Sequence, residues 1–133
     1  MKHNQRVGKW GEETAVEYLK HKGYEIAGQN VRTPYGEIDI VARQGDITLF
    51  IEVKTRTRID IAAPEAAVDR RKQRQIIRTA RLYRRLMAVQ EEPFRYDVIT
   101  VVAAPNATEE ISLLRGFFSE ELFTRSNWSR DKF

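Results

Sequence analysis

Apolar and small residues open the chain at helical spacing. Val7, Trp10, Gly11, Thr14, Ala15, Tyr18 and Leu19 recur every three or four positions, which predicts a helix over roughly residues 4–22. Gly23 follows, placed for the left-handed turn that ends a helix. Three short β-type runs come next, at roughly 24–31, 37–43 and 47–55. The turn formers Pro34-Tyr35-Gly36 and Gln44-Gly45-Asp46 separate them. A polar stretch at 56–63 leads to a second helix, opened either by Pro64 as its first residue or by Asp69 as its N-cap. Ile76, Ala80, Tyr83 and Met87 form its apolar stripe, joined by Ile77 and Leu86, while Arg74, Arg78, Arg81 and Arg85 share another face. A strand is expected at 96–103 and a shorter one at 111–114, then a mixed tail in which Phe117, Phe118, Leu122 and Phe123 dock. The order α-β-β-β-α-β, with one more strand, describes a mixed sheet flanked by helices, an α/β fold. One domain is expected over 1–133, with its core at about 5–116 and a tail at about 117–133.

Composition narrows the chemistry. The absence of cysteine excludes disulfides and thiolate zinc sites and points to the cytoplasm. His3 and His21 lack metal-ligand spacing. Ser112, Ser119, Ser126 and Ser129 have no histidine partner for acyl hydrolysis. No apolar run approaches the roughly 20 residues of a membrane span, and the polar N-terminus is not a signal peptide. Tyr18, Tyr24 and Tyr83 read as core aromatics, and Trp10 as a packing residue.

Charge changes the picture once it is divided along the chain. The formal net charge is +4, yet from Lys54 to Arg85 eleven Lys/Arg face three acids, +8, and the rest carries −4. A basic stripe in an otherwise acidic chain suits a polyanionic partner, and guanidinium forks suit phosphate. Arg56, Arg58, Arg70, Arg71, Lys72, Arg74, Arg78 and Arg81 are the candidate nucleic-acid contacts. The competing reading is a solvated helix face.

The densest chemistry lies in Gly36-Glu37-Ile38-Asp39 and Glu52-Val53-Lys54-Thr55-Arg56. In a strand, alternate side chains share a face, so Glu52 and Lys54 point the same way. If the two runs form a hairpin with a loop of two or four residues, Asp39 and Glu52 also meet on that face. A three-residue loop would separate them. Two carboxylates beside an ammonium suit Mg²⁺ or Mn²⁺ and phosphodiester hydrolysis. Ordinary cross-strand ion pairs, Glu37 with Lys54 among them, account for the same residues at about 0.2–1 kcal/mol each. Against that, Glu52 sits in an apolar run, Leu49-Phe50-Ile51-Glu52-Val53, where a carboxylate needs a fixed partner.

Asp39 followed by Glu52-x-Lys54 resembles the PD-(D/E)xK nuclease signature, with Ile38 in place of its proline. A wider pattern joins it: Gly8-x-x-Gly11-Glu12-x-x-Ala15-x-x-Tyr18-Leu19, Gly23-Tyr24-x-Ile26, Asn30-x-Arg32, Gly36-Glu37-Ile38-Asp39, Glu52-Val53-Lys54-Thr55-Arg56, Lys72-Gln73 and Arg95-Tyr96-Asp97-Val98. Together these resemble the YraN-like family of small bacterial proteins, over roughly residues 7–103. The resemblance implies a restriction-endonuclease-like αβββαβ core, close to archaeal Holliday-junction resolvases. It implies Asp39, Glu52 and the Val53 carbonyl as metal ligands, Lys54 as catalytic lysine, Glu12 as a further acidic residue at the metal and Gln73 as a polar residue from the long helix.

Two functions follow as expectations: a Mg²⁺- or Mn²⁺-dependent endonuclease on DNA, branched or structured DNA included, and a non-catalytic nucleic-acid-binding module on the same fold. An interaction subunit is a third. A homodimer fits the symmetric substrates of resolvase-like proteins.

Overall fold

The computed structural model describes residues 2–57, 68–103 and 110–122, the side chains of 2–6, 57 and 122 apart. Arg58, Pro64 and Phe123 lie outside them. Helix α1 spans Lys2–His21, and three strands follow: β1 (Glu25–Thr33), β2 (Gly36–Gln44) and β3 (Ile47–Thr57). Helix α2 spans Arg70–Leu86, then come β4 (Phe94–Ala103), β5 (Glu110–Phe118) and a 3₁₀ turn at Glu120–Leu122. The expected αβββαβ order is the order observed, with the extra strand present and longer than the periodicity suggested. No helix among the described residues is long and apolar enough to cross a membrane.

The five strands lie side by side in chain order. All neighbours are antiparallel except β3 and β4, which run parallel from Thr48↔Phe94 to Thr57↔Ala103. A parallel pair needs a crossover connection, and α2 lies within it. The sheet is thus covered on both faces. Ala15, Val16 and Leu19 of α1 bury against Ile40, Ala42, Leu49, Ile51, Val53, Ile99 and Val101. Ile76, Ile77 and Ala80 of α2 bury on the opposite face with Ile38, Val41, Phe50, Tyr96 and Val98. Covering both faces explains why β3 reads as an almost continuous apolar run.

Local chemistry sets the ends of the elements. Asp69 is the N-cap of α2: its side chain accepts from the Lys72 N–H at 2.9 Å. At the other end the helix stops earlier than its apolar stripe suggests. Met87 is the C-cap, and Leu86 and Met87 are 71% and 58% exposed, because the stripe outruns the sheet beneath it. Tyr83 remains in contact, edge-on to Phe50 at 5.8 Å, and Tyr18 and Tyr24 pack with α1. β5 extends into the expected tail, where Phe118 stacks on Tyr96 at 4.8 Å, so the core reaches beyond residue 116.

One buried ion pair fixes the β4–β5 edge. Asp97 is fully buried and accepts from Arg95 Nε at 2.9 Å, from Arg95 Nη2 at 3.0 Å and from the Gly116 N–H at 2.8 Å. The ladder shifts register between Tyr96 and Val98, and the Asp97 carboxylate takes the N–H that the irregularity releases. Arg95→Ala leaves that charge buried without its cation. The expected cost is about 3 kcal/mol, a fall in melting temperature of about 10 °C. Arg32→Ala removes the exposed partner of Glu37, 77% open to solvent, and is expected to cost under about 1 kcal/mol. Equal thermal melts for the two variants would refute this role for Asp97.

Candidate active site

The Gln44↔Ile47 pair closes the β2–β3 hairpin through the two-residue turn Gly45-Asp46. That even-length turn puts Asp39 across from Glu52. The ladder, however, ends one pair earlier, at Ile40↔Ile51. Ile38 packs on the α2 side and Ile40 on the α1 side, although they are two residues apart. Regular alternation would place them together, so β2 twists at Asp39 as it leaves β3. The carboxylates therefore meet at a divergence of two strands and not on a flat face. There Asp39 Oδ2 accepts the Val53 N–H at 2.8 Å, standing in for the absent ladder carbonyl.

Glu52 lies beside it and is 5% exposed. The Asp39 carboxyl is near enough for its charge to act on that of Glu52. Lys72 Nζ approaches Glu52 Oε2 at 3.5 Å from the first turn of α2, and Lys54 Nζ approaches the same oxygen at 3.9 Å. Glu52 Oε1 is buried and has no hydrogen-bond donor. Burial is the main cause of a Glu52 pKa pushed up to about 8; the Asp39 charge and the shared hydrogen bond add to it, and Lys72 and Lys54 oppose it. An orphaned oxygen on a buried carboxyl with a second carboxyl nearby is where a hard cation relieves both repulsion and desolvation. The donor set thus fits Mg²⁺ or Mn²⁺. Among the described residues no three Asp, Glu, His or Cys side chains converge as a ready-made metal group.

Glu12 approaches from α1. Gly11 permits this, since a Cβ there would collide with the Thr55 side chain on β3. The Glu12 pKa is raised by burial first, then by the charges of Asp39 and Glu37. Asn30, opposite this point on β1, adopts φ +50°. With its amide nitrogen turned to the carboxylates it donates to Glu37 Oε1 at 2.9 Å and to Glu12 Oε1 at 3.1 Å. Gln73 is held at the base of α2, its Nε2 donating to the Val68 carbonyl at 2.9 Å, with Oε1 buried and without a hydrogen-bond partner.

The basic residues divide. Lys72, expected on the phosphate-contacting surface, is drawn to Glu52; only the packing of α2 against β3 reveals this. Arg81 faces the chain itself: it donates to Glu120 Oε1 at 2.8 Å, and Glu120 also receives Arg84 at 3.4 Å and the Tyr96 hydroxyl at 2.7 Å. Arg70 and Arg71 are exposed on the first turn of α2, and Arg71, Arg74, Gln75 and Arg78 line one groove. Arg56 is half-buried near the end of β3. Asn30 escaped the sequence reading as a site residue, although its motif with Arg32 was visible.

Sheet, helices and split together define an α/β protein with an acidic pair and two lysines at the divergence of adjacent strands. Residues 11–101 match the model of the uncharacterised protein family UPF0102, and the chain belongs to that family. A UPF0102 protein of Syntrophotalea carbinolica is 48% identical over 98 residues, 71% of this chain and 77% of the relative. One of Symbiobacterium thermophilum is 38% identical over 115 residues, covering 86% and 98%. One of Dictyoglomus thermophilum is 38% identical over 99 residues, covering 74% and 84%.

The raised Glu52 pKa has a testable sign. Folded Glu52 keeps its proton in a range where the unfolded side chain, near 4.5, has lost it. The group's contribution to stability therefore falls as pH rises from about 4.5 to about 8, by up to about 1.4 kcal/mol per unit, and levels off above. Glu52→Gln mimics the protonated form. In metal-free buffer it should melt near wild type at pH 5 and above it at pH 8. A pH-independent gap between the melting curves would refute this electrostatic account.

Proposed function

We propose that this protein is a divalent-metal-dependent endonuclease that hydrolyses phosphodiester bonds in DNA. The observation that carries the reading is the buried Glu52 oxygen without a donor, next to Asp39 and opposite two lysines. A structural salt bridge would satisfy both carboxylate oxygens. Here one side of Glu52 is neutralised and the other is left for a ligand that carries positive charge.

Asp39, Glu52 and the Val53 carbonyl would hold the ion, and the Glu12 charge near Asp39 adds to the acidity of the site. Bound there, the ion supplies charge against phosphate oxygens and acidifies nearby water. Lys54, on the same face as Glu52, is placed to orient the attacking water or to hold a phosphate oxygen as charge develops. Lys72 adds a second ammonium at the same carboxylate, and Gln73 stands next to it with a buried amide oxygen. The Val53 N–H restrains Asp39, so its carboxylate does not depend on substrate for its position. Arg56 and the exposed first turn of α2 give the backbone positive charge to follow. Branched DNA is the substrate that likeness to resolvases implies.

One observation favours a second reading. Lys54 and Lys72 already neutralise part of Glu52, so the cluster could persist as a structural ion network beneath a nucleic-acid-binding helix. That module binds DNA in a salt-sensitive way and cuts nothing.

Cleavage decides between them. Purified protein with Mn²⁺ and duplex, single-stranded or four-way-junction DNA is expected to cut at least one substrate. Asp39→Ala, Glu52→Ala and Lys54→Ala should each slow cutting by about 100-fold or more. Unchanged cutting in the two carboxylate variants would remove the assignment, and binding without cutting in any metal would favour the module.

A further inference from the structure

We infer that the groove beside α2 is a track for unpaired nucleotides, with Tyr35 as its base-stacking platform. The inference rests on the nuclease reading for what happens next to the groove, but the binding it describes needs no metal. Arg71, Arg74, Gln75 and Arg78 line the groove, three guanidiniums and an amide. The β1–β2 turn abuts Gln75, one of its lining residues. Gly36 packs against Gln75 so closely that a Cβ there would stand 3.2 Å from the Gln75 Cβ. Thr33 Oγ1 and Thr79 Oγ1 lie 3.1 Å apart and tie the turn to the helix.

That seat carries Tyr35 to the groove. Its ring lies beside Arg78, whose guanidinium carbon is 5.8 Å from the centroid, and 42% of the residue remains open to solvent. Most other aromatic side chains on this face of the sheet are built into the core around Phe50 and Tyr96. Tyr35 instead sits at a turn, beside the Arg78 guanidinium, where burial gives it little reason to be aromatic.

Position adds the functional link. Lys72, next in sequence to Arg71, touches Glu52 of the acidic pair. From Arg71 to Arg78 the helix advances about 10 Å, a length spanned by a few nucleotides. A strand whose phosphate lies at the acidic pair therefore continues along the arginines, and its neighbouring bases reach Tyr35. An aromatic ring stacks only on a base with a free face, so an intact duplex offers it nothing along its length. The substrate class is DNA with unpaired nucleotides flanking the scissile phosphate.

The test measures binding without cutting. Fluorescence anisotropy in EDTA compares a labelled single-stranded 20-mer, the same sequence as a blunt duplex, and a hairpin with a single-stranded tail. Wild type is expected to bind the single strand and the tailed hairpin about tenfold more tightly than the blunt duplex. Tyr35→Ala should remove about that factor from the first two and leave the duplex unchanged, and Tyr35→Phe should keep the preference. Replacing Arg71, Arg74 and Arg78 together by Gln should lower the salt slope for single strands by about 2. Equal affinity for single strand and duplex overturns the inference, as does a Tyr35→Ala loss shared by all three probes or a slope that the triple variant leaves unchanged. Thermal melts confirm that each variant is folded. Loss of the nuclease reading appears only in the metal-dependent cutting assay, so the two can fail separately.

Discussion

One hydrogen bond governs the centre of this fold: the Val53 N–H donated to the Asp39 carboxylate. Two adjacent strands that diverge must leave backbone groups without ladder partners, and a buried N–H left alone costs about 1–3 kcal/mol. Asp39 supplies the acceptor, which lets β2 leave β3 after Ile40 without that penalty. Several features follow from the divergence. Ile38 crosses to the α2 face, Glu52 meets a carboxylate where a strand neighbour would have been, and the gap is open to residues from both helices. Glu12 enters from α1 because Gly11 lets that helix lie against Thr55, and Lys72 enters from α2 because Asp69 caps the helix just before it.

The cost of this arrangement is electrostatic. Two carboxyls share a largely dry site, and the two ammoniums both reach the same oxygen of Glu52. Proton or cation must supply the remainder, which is why the Glu52 pKa lies far above its ordinary value. The basic helix is then easier to understand. Its positive residues do not form one uniform face for a polyanion. Lys72 serves the acidic pair, Arg81 and Arg84 hold Glu120 and the Tyr96 hydroxyl, and Arg71, Arg74 and Arg78 border the groove near Tyr35. Arg84 also covers the Phe94 ring at 3.7 Å, an aromatic contact that packs as much as it pairs.

Legibility in the sequence followed the range of the interactions. The strands and the position of the turn at Gln44-Gly45-Asp46 were readable because alternation and turn formers are local signals. The two-residue length that sets Asp39 opposite Glu52 came only with the Gln44↔Ile47 pair. The twist at Asp39 was not readable, since it depends on where the β2–β3 ladder gives out. The helix cap at Asp69 was one of two local possibilities, and its side chain takes the Lys72 N–H. Leu86 and Met87 fit a periodic stripe perfectly well, yet periodicity carries no information about where the sheet below ends. Lys72 and Arg81 looked equivalent as basic helix residues; one faces Glu52 and the other Glu120, and both partners are distant in sequence. Membership of UPF0102 was legible from scattered glycines and acids, several of which have structural reasons: Gly11 against Thr55, Asn30 at positive φ, Arg95 and Asp97 as a buried pair.

The Asp39–Glu52 pair is proposed to take a divalent cation in place of a proton. Titration calorimetry with Mn²⁺ at pH 7, in two buffers of different ionisation enthalpy, tests it directly. One ion is expected to bind per chain with release of close to one proton, because Glu52 with a pKa of about 8 is mostly protonated before binding. Binding that releases no proton, or that persists unchanged in Glu52→Gln, would contradict it.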